Sequence, residues 1–173
     1  MTSDSISAST NAEAAAGDLW HYAATVYQRP GLKSALLDLQ DRHGIDVVML
    51  LTCAFLAERG CRLESATIAE LVQAGEPVRE GFVLPLRALR RRCAEFAPST
   101  VLYSELKNVE LQAERMQIDA LAGCFGPWLG GGAATSVEAA SVEAAVRAYW
   151  QSVVGGVDDP AIGEVVAILQ GGS

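Results

Sequence analysis

From Val47 to Ala57 the chain reads "VVMLLTCAFLA", with Thr52 as its single polar residue. A helix apolar on every side cannot lie on a surface, so this segment predicts a central helix wrapped by others. Asp46 stands where its carboxylate can accept the free amides of that helix start. Gly60, after Glu58 and Arg59, suits a left-handed C-terminal residue. The chain has 173 residues, half of them apolar, which is enough to surround such a helix without metal or disulfide staples.

Helical periodicity dominates the remainder and strand signals are nearly absent. Asp18 is expected to cap a first helix near 19–28, stopped by Pro30 and Gly31. A second, near 31–42, carries Leu32, Ala35, Leu36 and Leu39 on one face, and Gly44 breaks it. "TIAE" at 67–70 has capping-box spacing and opens a helix expected to close at Gly75. Residues 78–96 place Val78, Phe82, Leu86, Leu89, Cys93 and Phe96 at spacings of three and four, interrupted by Pro85. Ser99 is the expected cap of a long helix near 100–124, with an apolar seam of Leu102, Leu106, Val109, Ala113, Met116 and Ala120.

These signals predict an all-α fold: one bundle-like domain of five to six helices, residues 18–128, around a central buried helix. Residues 1–17, polar and without a basic or apolar block, are expected to form a disordered tail rather than a targeting signal. "LGGGAAT" makes 129–135 a Gly-rich linker. The duplicated "SVEAASVEAA" then opens an accessory helical tail, 136–173, expected to dock through Val146, Tyr149 and Trp150.

Composition removes several functions. Net charge is −8, from 21 acidic and 13 basic residues, so no overall positive field draws nucleic acid or anionic lipid. No stretch approaches ~18 consecutive apolar residues, which argues against a membrane span. Cys53, Cys61, Cys93 and Cys124 lie far apart, mostly within apolar helical patterns, and are read as reduced residues of a cytoplasmic protein. There is no nucleophile elbow, no phosphate-binding loop and no Glu-x-x-His ligand pair, so no cofactor or metal is implied.

Two charged blocks remain. Asp38 and Asp41 share one helical face, and Glu110 and Glu114 share another. Carboxylate pairs on facing helices are how helical di-metal sites are built, although Asp41, His43, Gly44 and Asp46 also suit a turn and a helix cap. Arg87, Arg90, Arg91 and Arg92 crowd one helix, with Arg79 upstream. Folding back at Pro98 and Ser99 brings Arg87 level with Glu110 and Arg91 level with Glu105. That register predicts interhelical ion pairs and leaves Arg90 and Arg92 for external contacts. Trp20, Tyr22, Tyr27 and Phe55 are assigned to the core rather than to a ligand pocket.

Trp20 with Tyr27, "LLDLQDRHGIDVVMLL", "PLRALRR" and "LKNVELQAER" together resemble a proteobacterial family known as domain of unknown function twenty-three-ninety, over about residues 18–122. Val78 and Phe55 stand where that family is expected to carry tryptophan, and both keep an apolar group. The resemblance implies a small all-helical cytoplasmic protein and supplies no catalytic residues. A non-enzymatic binding or adaptor module, acting through the Arg79–Arg92 helix and the Asp38–Asp46 turn, is therefore the favoured expectation. The alternative is a helical enzyme or ligand-binding protein with a carboxylate cleft formed by Asp38, Asp41, Glu110 and Glu114. Admissible partners are another protein, a small ligand or a second copy in a homodimer; a membrane is excluded and nucleic acid disfavoured.

Overall fold

The computed structural model describes residues 3–125, 141–157 and 159–171, with side chains from Thr10 onward. All of its regular structure is helical: α1 (Ser3–Val26), α2 (Leu32–His43), α3 (Val47–Glu58), α4 (Ser65–Val78), a π turn (Arg79–Val83), α5 (Leu84–Phe96), α6 (Val101–Ala122), α7 (Val142–Val154) and α8 (Pro160–Leu169).

As its composition requires, α3 is the axis. Every residue from Met49 to Ala57 is buried, and α1, α2, α4, α6 and α7 all pack against it. Thr52 keeps its hydroxyl inside by donating to the Val48 carbonyl, 2.8 Å away. Asp46 caps the start as expected, accepting from Val48 N at 2.9 Å and Met49 N at 3.3 Å. Its second oxygen accepts from Gln117 of α6 and faces Arg79 at 3.4 Å, while its own amide donates to Tyr149 of α7. One acidic cap therefore fastens α3 to α6, α7 and the π turn. Gly44 and Gly60 adopt φ of +67° and +83°, the left-handed turns at which α2 and α3 end.

Several boundaries differ from the sequence reading. The first helix begins at Ser3, inside the span expected to form a disordered tail. Asp18 lies within the helix, and Ala15 and Ala16 are buried. Alanines bury a narrow helix face at little entropic cost and leave little hydropathic trace. Helix α4 starts at Ser65, without a side-chain cap from Glu64 or Thr67. It also runs through Gly75, where a Cβ would meet Leu121 of α6 at 3.2 Å; the glycine serves close helix approach. Thr100, not Ser99, caps α6.

Pro77 and Pro85 do not break the rod of α4 and α5. The chain inserts a π turn between them, with Leu84 N–H donating to the Arg79 carbonyl, and Pro85 falls in the first turn of α5, where its missing donor costs nothing. The extra residue rotates the face that α5 presents. Phe82, Leu89 and Phe96 of the apolar pattern over 78–96 are exposed, and α5 contains no fully buried residue. Helix α6 returns antiparallel along this rod. Its buried face is Leu106, Glu110, Ala113, Gln117 and Leu121, whereas Leu102, Val109 and Met116 of the expected seam are exposed.

The C-terminal helices belong to the core. Val146, Tyr149 and Trp150 of α7, and Ile162, Val165 and Leu169 of α8, join the same buried cluster as α1 to α4. Asp159 caps α8 and receives Arg42 and His43 from the end of α2. Arg29 donates to the Ile168 and Leu169 carbonyls at the other end of α8. The C-terminal segment is helical and docks through Val146, Tyr149 and Trp150 as expected, with α8 adding Ile162, Val165 and Leu169 to the same core. The 129–135 linker, the boundary at 128 and residues 136–140 lie outside the described residues.

Candidate functional site: a cleft walled by arginine and glutamate

The apolar face of α2 is spent on α3 and α8. Its other face, with Lys33, Leu37 and Gln40, therefore looks across a gap toward α6. Helix α6 answers with a stripe at spacings of three and four: Tyr103, Lys107, Leu111, Glu114 and Ile118. Leu19, Trp20, Ala23 and Tyr27 of α1 and Val47, Val48 and Leu51 of α3 form the remaining apolar wall, and Arg87 and Arg90 enter from α5. The enclosed cleft measures about 600 Å³, within the ~300–1,000 Å³ typical of small-molecule sites.

One wall is a charged network. Arg87 donates from Nε to Glu110 at 2.8 Å and from Nη2 to Glu114 at 2.7 Å. Arg90 donates to both oxygens of Glu110. Glu110 is only 8% exposed and Arg87 12%. Burial pushes the Glu110 carboxyl up, but bonds from Arg90 and Arg87 outweigh it and hold the group below its ordinary range. Glu114 goes the other way, raised by burial that Arg87 only partly offsets. Tyr27 is raised as well, first by burial and then by the charge of Glu114. Two carboxylates one helical turn apart are thus unequal: Glu110 is fixed as an anion, and Glu114 takes up a proton more readily.

Of the expected site residues, the structure brings Arg87, Arg90, Glu110 and Glu114 together. The Arg87–Glu110 pair forms as the hairpin register requires; Arg91–Glu105 does not, because Arg91 binds Asp41 of α2 instead. Arg90, expected to face outward, is held by Glu110. Asp38 pairs with Arg42 at the surface. Arg92 is exposed. A cleft built from all four carboxylates therefore does not exist: each is bonded to an arginine, and Asp38 and Asp41 are absent from the lining. Among the described residues, no group of three or more His, Cys, Asp or Glu side chains is placed to hold a metal ion.

Trp20 and Tyr27, assigned to the core by their spacing, line the cleft. Tyr22 and Phe55 are core, edge to face at 5.6 Å. The guanidinium of Arg115 stands 5.0 Å from the Trp20 ring, which steadies it. The sequence did contain one overlooked signal. Lys33 and Lys107 are the chain's only lysines, and both line this cleft.

Fold and cleft together define an all-helical protein with a mixed apolar and ionic cleft between its helices. The chain belongs to the family described as protein of unknown function (DUF2390), which it matches over residues 18–121. No curated protein and no solved structure matches it. The matched span contains every residue that lines the cleft and excludes α7 and α8. Among the described residues, no helix is long and apolar enough to cross a membrane.

Proposed function

We propose that this protein is a non-enzymatic small-molecule binder whose ligand lies in the cleft between α1, α2, α3, α5 and α6. One observation carries the reading: the cavity of about 600 Å³ joins apolar walls to a few fixed polar groups, the composition of small-molecule sites. Binding is favoured over catalysis because no His, Cys or Asp lines the cleft and both of its carboxylates already accept from arginines. Four cysteines outside any disulfide support a cytoplasmic setting. Native mass spectrometry of the full chain, purified gently from its own host, tests the proposal. A small-molecule adduct that leaves on denaturation is expected. An adduct-free protein whose melting temperature no compound library moves would refute it.

A second reading, a protein adaptor, is favoured by the tip of the α5–α6 hairpin. There Phe96 is 85% exposed, beside exposed Leu89, Val101 and Leu102. Arg79, Arg87, Arg90 and Arg91 are engaged within the chain, so an adaptor surface rests on these apolar groups rather than on the arginine charges. A partner lost by Phe96→Ser with Leu102→Ser but retained by Arg92→Glu supports the apolar tip. A partner lost only by Arg92→Glu restores the charged surface.

A further inference from the structure

We infer that the cleft takes a monoanionic amphiphile, a carboxylate attached to an aromatic ring or short acyl chain, with its head toward Lys33, Lys107, Arg87 and Arg90. The inference rests on the proposed reading of the cleft as a small-molecule site and adds the ligand's charge and shape.

Charge distribution is the first support. The chain carries 21 acidic residues against 13 basic ones. The cleft reverses that balance, with Lys33, Arg87, Arg90 and Lys107 set against Glu110 and Glu114. Random placement in an acidic protein would favour acids, yet both lysines of the chain lie here. Neither forms an ion pair among the described residues, whereas most arginines do. Both lysines are exposed at the cleft, where ammonium groups without an ion pair among the described residues draw an anion toward the apolar walls.

The arginines add directional donors. Their bonds to Glu110 and Glu114 use the Nε–H and Nη2 groups, and a guanidinium has five N–H donors in all. These pairings leave Nη1 of Arg87 for a ligand. Glu110 and Glu114 in turn set an upper limit on ligand charge, because a phosphate dianion would meet two carboxylates within the same wall. The four cations outnumber the two carboxylates by two, and a single negative charge is drawn by that excess with less repulsion from Glu110 and Glu114 than a double one. Protonation of Glu114, which its burial favours, enlarges that excess. Opposite the charges, Trp20, Leu37, Val48, Leu51 and Ile118 offer apolar surface for a ring or chain.

Calorimetric titration of the full chain with octanoate, octanamide, octylamine and phenyl phosphate tests this, with amide-resonance mapping to locate each probe. Octanoate is expected to bind at least about fivefold more tightly than octanamide, the effect of two rim ion pairs, and to lose that advantage as ionic strength rises. Octylamine and phenyl phosphate are expected to bind more weakly than octanoate. The double variant Lys33→Gln with Lys107→Gln, altering two exposed side chains, should erase the octanoate advantage and leave octanamide unchanged. If octanamide or octylamine shifts the cleft resonances as strongly as octanoate, the anion inference fails while the cleft remains a binding site. If no probe of any charge shifts resonances of Trp20, Tyr27 or Leu51, the cleft itself is not a small-molecule site.

Discussion

Replacing Trp150 with alanine tests whether the C-terminal helices are part of the core. The indole is 4% exposed, stands edge-on to His43 of α2 with centroids 5.0 Å apart, and donates to the Val157 carbonyl at 2.8 Å. Truncating a buried tryptophan costs ~3–5 kcal/mol through lost burial and the residual cavity. The hydrogen bond adds little, since exposed Val157 can turn to water. A chain of this size shifts by about 2–4 °C per kcal/mol, so Trp150→Ala should lower Tm by roughly 6–20 °C. Val153→Ala, at an exposed site on the same helix, should cost within about 0.5 kcal/mol. Calorimetry with far-ultraviolet dichroism supplies the measurement, and one cooperative transition is expected. Two results would refute the reasoning: a Trp150→Ala shift no larger than that of Val153→Ala, or a separate low-temperature transition beside an unmoved main one.

The ionic groups and caps have consequences of their own. Arg87→Met strips Glu114 of its partner and Glu110 of one of two, and should cost about 2–3 kcal/mol in urea denaturation. Adding Glu114→Gln should recover a substantial part of that loss, because an uncharged amide is cheaper to leave buried than a carboxylate. Asp159 is depressed to about 2, first by the Ala161 amide and then by Arg42 and His43. A depressed carboxyl adds stability that is complete above its unfolded value of ~3.9 and disappears as pH falls toward 2. Asp159→Asn should therefore be less stable than wild type at pH 7, with the difference closing in urea melts between pH 4 and pH 2. Thr100→Ala should cost about 1 kcal/mol by uncapping α6, and Ser99→Ala should cost nothing measurable.

Burial on all sides has a direct compositional signature, and for that reason α3 and its Asp46 cap were readable in the sequence. Boundaries set by packing were not. Gly75 looks like a helix stop until α6 is known to lie against it, and Asp18 looks like a cap until buried alanines extend the helix past it. The Gly-rich 129–135 segment suggested an accessory tail; its docking residues Val146, Tyr149 and Trp150 were readable from their apolar spacing, whereas Ile162, Val165 and Leu169 joining the same core was not. Among the charges, hairpin register predicted Arg87–Glu110 because the two helices are neighbours in sequence. Arg91 turned to Asp41 of α2, a partner distant in sequence that hairpin register cannot supply, and Arg90 pairs with Glu110 instead of facing outward. The cleft is the least legible feature, since a void is created by what fails to pack. Only after α2 commits its apolar face to α3 and α8 do Lys33, Leu37 and Gln40 face the stripe of α6. Trp20 and Tyr27 retain the helical spacing of core residues because they do pack against the core on one side; what spacing cannot reveal is that their other side borders empty space. The two lysines carry information for the same reason: in an acidic chain whose other basic residues are all arginines, ammonium groups on one cleft with no ion pair among the described residues mark where the proposed ligand's negative charge is wanted.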